Sequence, residues 1–320
     1  MLLSPVANWL KTFDHVDVKA PIYDFDGLPQ SFEYLLDKLP AKAEERMSST
    51  SIADRFAKTA QSMARLETDL HDAHLDVLII IGDDQMEIFK DECRPAIAVY
   101  YGDTIRNAAA PSPPPSDWYY FDQTKRLEDG KDVFYPCAPA MGMHLIDGLT
   151  NKGFDLTAVK TLTASQYEGH AYSFIHRRYM AARRIPVVPV LLNTYYPPNV
   201  PTPQRCLELG IAIRELVDSF PQDLRVGIMA SGGLSHFLVN EDLDAVVIDA
   251  IRRNDISSLA ALSPQILQSG SSEIRNWICT GAAASKLKLA WLNYVPAYRS
   301  RAMTGVGLCF ATWLKDIDVQ

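Results

Sequence analysis

Three short stretches, apolar at nearly every position, constrain the chain more than any other feature: Asp76 to Ile81 (DVLIII), Ile185 to Leu192 (IPVVPVLL) and Leu224 to Ala230 (LRVGIMA). Apolar residues in continuous rather than alternating order read as strands buried on both faces, and such a sheet has to be covered on both sides by helices. Helical patterns surround them. Cys206, Leu209, Ile213, Leu216 and Phe220 recur at helical spacing, as do Leu243, Val246, Val247, Ala250 and Ile251, and Ser48 to Leu70 and Glu273 to Ala290 suit helices as well. The order predicts an α/β fold with a central, mostly parallel or mixed sheet flanked by helices on both faces, in a single domain spanning 1–320.

Proline marks two excursions. Ala108 to Ser116 (AAAPSPPPS) is a surface loop, because proline lacks the amide hydrogen that a helix or central strand needs. Tyr195 to Pro203 (YYPPNVPTP) directly follows an apolar strand, at the strand end where α/β proteins place ligand crevices. Tyr195, which opens this turn, is therefore a candidate substrate contact.

Composition narrows the function classes. Hydrophobic residues at 48% and charged residues at 22% suit a chain that buries its own core. A net charge of −8 argues against a surface that tracks nucleic-acid phosphates; Arg177, Arg178, Arg183 and Arg184 form the one basic run and read as a solvated helix face with one or two members turned inward. Five widely spaced cysteines without a Cys-x-x-Cys pair suggest neither a zinc ribbon nor a disulfide framework, so reduced thiols in a cytoplasmic protein are expected. No stretch approaches the roughly 20 apolar residues of a membrane span, and MLLSPVANWLKTF lacks a basic leader.

Several residues offer chemistry. In Ala230 to Phe237 (ASGGLSHF), paired glycines permit a tight turn at a strand's carboxyl end and deliver His236, which suits acid–base work or, equally, a loop histidine bonded to a carbonyl. Ile79 to Gln85 (IIIGDDQ) ends a strand in Asp83, Asp84 and Gln85, oxygen donors for a hard cation or a substrate, or a plain turn with an Asp cap. Ser269 to Trp277 (SGSSEIRNW) breaks at Gly270 and sets Glu273 at a helix start, where capping explains a glutamate unless the fold turns it inward. His170, in EGHAYSF upstream of a strand, is similarly ambiguous, His71 and His74 read as a solvated helix end, and His15 has no identifiable partner.

Taken together and in order, YDFDGLPQSFEYLL (Tyr23 to Leu36), IIIGDDQMEIF (Ile79 to Phe89), AVYYGDTIRN (Ala98 to Asn107), IPVVPVLLNTYYPPNVPTPQRC (Ile185 to Cys206), ASGGLSHF and SGSSEIRNW resemble the class III extradiol dioxygenases, the superfamily of the protocatechuate 4,5-dioxygenase catalytic subunit, in a branch with a GDDQ turn. The resemblance implies ring cleavage of a catechol-type aromatic diol with O2 at a non-haem Fe(II) held by two histidines and a glutamate. It assigns the glutamate ligand to Glu273 and the acid–base histidine to His236, and matches a second active-site histidine to His170. Where much of the family has a ligand histidine, this chain has Gln85, a weaker neutral donor suited to hydrogen-bonding substrate or metal-bound water. The family's other ligand histidine lies just upstream of a proline that Pro5 matches, so Met1 to Pro5 begin just after it and the chain as numbered is expected to bind iron poorly.

A homo-oligomer, as a dimer, is expected, with no nucleic-acid or membrane partner. The rival reading is a binding or scaffold protein that keeps the fold with a degenerate metal site. A metal-assisted hydrolase using Asp83 and Asp84 finds no defining spacing, and no Gly-x-Ser-x-Gly elbow is present.

Overall fold

The structure, a computed structural model, describes residues 2–11, 22–38 and 43–315; His15 lies outside them. In chain order the elements are α1 (Val6–Trp9), β1 (Ile22–Tyr23), β2 (Pro29–Gln30), α2 (Phe32–Asp37), α3 (Ala43–Arg46), α4 (Ser49–Asp72), β3 (Val77–Asp83), β4 (Ile97–Tyr100), β5 (Thr104–Asn107), α5 (Trp118–Thr124), β6 (Val133–Pro136), α6 (Pro139–Asn151) and β7 (Thr157–Val159). There follow α7 (His170–Tyr179), β8 (Val187–Leu192), α8 (Pro203–Asp218), β9 (Val226–Ala230), α9 (Glu241–Arg252), two 3-10 turns (Ile256–Ala261 and Ser269–Glu273), α10 (Ile274–Ala283), β10 (Lys288–Tyr298) and β11 (Gly305–Leu314). The fold is mixed α/β, as the apolar runs predict.

The chain divides into two compact units: Met1–Asp69 with Gly233–Ile274 and Leu287–Gln320, and Leu70–Gly232 with Arg275–Lys286. The second unit holds the five-stranded sheet in the order β7-β4-β8-β3-β9. Strand β3 pairs in parallel with β8 and β9, and β4 in parallel with β7, while β4 and β8 run antiparallel. Every residue of β3 and β8 is buried, which is why these runs carry apolar residues at consecutive positions. The register sets Asp83 beside Leu192 and Ile81 beside Ala230. The loops after β3, β8 and β9 therefore leave one edge of the sheet, the edge at which parallel α/β sheets present ligand-binding loops.

In the first unit the long helix α4 meets the antiparallel hairpin β10–β11: Trp291 Nε1 donates to Asp69 Oδ2 (2.5 Å) and Asn293 Nδ2 to Ser62 Oγ (2.7 Å). Ile22, Phe32, Leu35, Leu238, Val239 and Met303 form a core cluster there. The hairpin corrects one expectation. A helix running from Glu273 to Ala290 is not found; α10 ends at Ala283, and Lys288 to Ala290 already belong to β10. The alanine run Ala282 to Ala284 favours helix, but the segment beyond it carries Trp291, Tyr294 and Val295, which suit a strand, and completes a ladder with β11.

The basic run is largely paired within the second unit. Arg177 bridges Glu128 (2.8 Å) and Asp129 (3.0 Å), and Arg184 covers the Tyr135 ring. The cysteines are free, four of them buried. Among the described residues no helix is long and apolar enough to cross a membrane.

Ile80 is fully buried in the middle of the sheet. Replacing it with Ala should cost about 2–5 kcal/mol in urea denaturation, because the enclosed site cannot collapse to fill the lost volume. A cost below about 1 kcal/mol would show that β3 is not the packed centre.

Candidate active site

In the first unit the turn after β9 carries His236, and the 3-10 turn ahead of α10 carries Glu273. Their side chains meet: His236 Nε2 lies 3.1 Å from Glu273 Oε1, with each side chain only 7% exposed. The other ring nitrogen, Nδ1, is 2.9 Å from the Leu234 carbonyl oxygen, an acceptor only, so Nδ1 carries a hydrogen. With that hydrogen committed, the approach of Nε2 to the carboxyl group is attractive when a second proton lies between them, as in an imidazolium–carboxylate pair. Glu273 Oε2 accepts the Gly233 amide (2.9 Å), tying the glutamate to the glycine pair at the start of the turn.

Three sets of contacts hold His236 in this pose. Ser271 Oγ accepts its backbone amide (3.1 Å), and the His236 carbonyl accepts the Ser271 amide. A Cβ on Gly270 would overlap the imidazole, so only glycine lets the ring pack against that backbone. Asp244 does the rest from α9. It accepts the Ser235 amide and hydroxyl (2.8 Å each) and the Tyr294 hydroxyl (2.6 Å), while Ser235 Oγ accepts the Asn240 amide (2.7 Å). Burial pushes the Asp244 carboxyl up, against the pull of Tyr294 and Ser235. Sequence reasoning missed Asp244, whose place in an acidic first helical turn reads as dipole compensation.

The second unit carries another carboxylate–imidazole pair at the carboxyl end of β3. Asp84 closes the GDDQ turn: its Oδ1 accepts the amides of Glu87 (3.1 Å) and Ile88 (2.9 Å), and its Oδ2 that of Phe89 (2.9 Å). Burial pushes the Asp84 carboxyl up, partly offset by those amides. Gln85 Nε2 donates to Asp83 Oδ2 (3.3 Å), which leaves the amide oxygen as its accepting atom. His170, the first residue of α7, sets Nδ1 2.7 Å from Glu87 Oε2 and Nε2 3.8 Å from Asp83 Oδ2. Burial pushes the Glu87 carboxyl up, but His170 and Arg126 outweigh it and hold the group below its ordinary range. Nothing in the sequence flags Glu87, because its partner lies 83 positions away.

Tyr195, half-buried in the loop after β8, lies with its ring 5.9 Å from that of Tyr196. Asn193 braces this loop, donating to the Tyr196 carbonyl (2.7 Å) and to Asn199 Oδ1 (2.8 Å). Deeper in the same unit, His176 and Glu168 are both fully buried and meet at 2.6 Å. Burial pushes the Glu168 carboxyl up, and His176 pulls it back. Asp83 and His170 offer a carboxylate oxygen and an imidazole nitrogen, donor types that suit a metal ion.

Residues 118–291, more than half of the chain, match the family described as the catalytic LigB subunit of aromatic ring-opening dioxygenase. The chain belongs to this family. The LigB match takes in both histidines and Glu273. A gallate dioxygenase from Pseudomonas putida is 42% identical over 52 residues, a segment spanning 16% of this chain and 15% of that protein.

The Asp244 clamp has a pH signature. A carboxyl group raised in the folded state releases its proton more readily when unfolded, so stability is full below the ordinary carboxylate range and declines as pH rises through the raised value. Urea denaturation from pH 4 to 7 should show wild type losing stability relative to Asp244→Asn, which keeps the shape without the ionisation. A difference that stays constant with pH would refute the assignment.

Proposed function

We propose that this chain is an extradiol ring-cleaving dioxygenase that opens a catechol-type aromatic diol with O2, using non-haem Fe(II). The observation that carries this reading is the His236–Glu273 pair inside a LigB-family sequence. The donor chemistry fits the metal, since carboxylate oxygen and imidazole nitrogen are the ligand types of non-haem Fe(II) sites. When bound, Fe(II) supplies positions for both diol oxygens and for O2, together with the electron transfer that joins them.

The protein's own groups do the remaining work. Glu273 is the anionic ligand, kept in place by the Gly233 amide. Once Glu273 serves as a ligand and the proton between the two side chains has left, His236 takes the proton of the incoming diol at Nε2, while Nδ1 stays fixed on the Leu234 carbonyl. His170, with Nδ1 committed to Glu87, offers the lone pair of Nε2, which accepts a proton from the diol and returns it during ring opening. Gln85 holds substrate or metal-bound water through its amide oxygen, and is a ligand in its own right only as a weak neutral donor. Tyr195 provides an aromatic wall for the ring.

The test is reconstitution with Fe(II) under anaerobic conditions, followed by oxygen-electrode assays with catechols that include gallate. Oxygen uptake should depend on both metal and diol. His236→Ala should slow turnover by roughly 10²–10⁴-fold with metal content unchanged, and Glu273→Ala should lose the metal. A protein that stays metal-free and takes up no oxygen with any diol would favour the rival, a binding protein on this fold with a degenerate metal site, for which the departure at Gln85 is the supporting observation.

A further inference from the structure

We propose that Glu87 is the positioning residue of the second histidine: it fixes which ring nitrogen of His170 carries the hydrogen, and so presents Nε2 as the working atom. The kinetic part of this inference rests on the ring-cleavage reading; the structural part does not.

Glu87 reaches His170 through a turn that leaves it little freedom. Asp84 gathers the amides of residues 87, 88 and 89, which sets the backbone from which the Glu87 side chain departs. That side chain is only 14% exposed, and its Oε1 accepts from Arg126 Nη2 (3.2 Å). The remaining oxygen, Oε2, accepts twice from one residue: from the His170 backbone amide (2.8 Å) and from Nδ1 (2.7 Å). Gly169 makes room for this. A Cβ there would stand 2.6 Å from Glu87 Oε2, closer than side-chain atoms tolerate.

A carboxylate has lone pairs and no hydrogen, so its partner at Nδ1 has to be the donor. Each oxygen of the Glu87 carboxyl faces a donor, Arg126 at Oε1 and His170 at Oε2, the setting of a carboxylate. In the neutral imidazole the lone pair then resides on Nε2. The plainer role is a helix cap: α7 has no capping side chain at Gly169, and Glu87 satisfies the first amide from a distance. A cap alone needs only one accepting oxygen and places no demand on the ring.

The two roles separate in Glu87→Gln, whose amide oxygen still accepts the His170 amide but brings no charge to Nδ1. Long-range ¹H–¹⁵N spectra of the histidine-labelled, metal-free full chain at alkaline pH, assigned with His170→Gln, read the tautomer directly. Wild type should show the Nδ1–H form, and Glu87→Gln should shift the ratio toward Nε2–H by about tenfold, since charge-assisted bonds are roughly twice as strong as neutral ones. Gly169→Ala, which pushes the carboxylate off the ring, should shift it the same way, so the test survives a poorly folding glutamine variant. In Fe(II)-loaded protein, Glu87→Gln should lower kcat by about 10–100-fold with KM little changed. A wild-type ring dominated by Nε2–H, or a ratio unmoved in a folded variant, overturns the proposal. A shifted tautomer with no ring cleavage by the wild type would instead fault the dioxygenase reading and leave the positioning role intact.

Discussion

Strand β3 is hydrogen-bonded along both edges and buried at every position, and the rest of the second unit is arranged around that fact. A strand without a solvent-facing side has no room for polar residues until it ends. The first such residues, Asp83 and Asp84, therefore appear at the boundary, where turn amides and neighbouring side chains receive them. Because β8 and β9 share its direction and register, the loops that follow them open at the same edge. Chemistry is concentrated there because an apolar, closely packed interior leaves nowhere else for it.

His236 in the first unit and His170 in the second are each held beside a carboxylate, and these two pairs are built differently. In the first unit His236 Nδ1 is committed to a backbone carbonyl, so Nε2 and Glu273 share whatever proton lies between them. In the second, Nδ1 is committed to Glu87, which sets the lone pair of the neutral ring on Nε2. A carboxyl group at Nε2 and one at Nδ1 confer different duties on the same ring, one suited to exchanging a proton with its partner, the other to presenting a fixed atom. The supporting residues follow suit: Asp244 braces the loop that bears His236, and Asp84 braces the turn that bears Glu87.

Much of the fold was legible because the buried strands carry a one-dimensional signal. DVLIII and IPVVPVLL correspond to fully buried strands, LRVGIMA to an edge strand that is only partly buried against the expectation of burial on both faces, and the helices at Pro203–Asp218 and Glu241–Arg252 follow their apolar spacing. The hairpin β10–β11 was not legible, since the alanines before it extend the helical pattern and pairing across a hairpin leaves little local trace. Nor was the weaving of the chain between two compact units, which depends on contacts far apart in sequence. His236, Glu273 and His170 stood out through glycine-bounded segments and a family resemblance. Glu87 and Asp244 did not, because a glutamate 83 positions from its histidine and an aspartate in a helix's first turn look like ordinary surface charge until the fold joins them to their partners.

As the extradiol dioxygenase proposed above, the chain should place both atoms of O2 in an aromatic diol as the ring opens beside the hydroxyl pair. Mass spectrometry of the product formed by the Fe(II)-loaded chain under ¹⁸O₂ addresses it directly. A ring-opened product carrying two labelled oxygens, with the break adjacent to the diol, is the predicted result. An intact ring, label drawn from water alone, or cleavage between the two hydroxyl-bearing carbons would contradict the account.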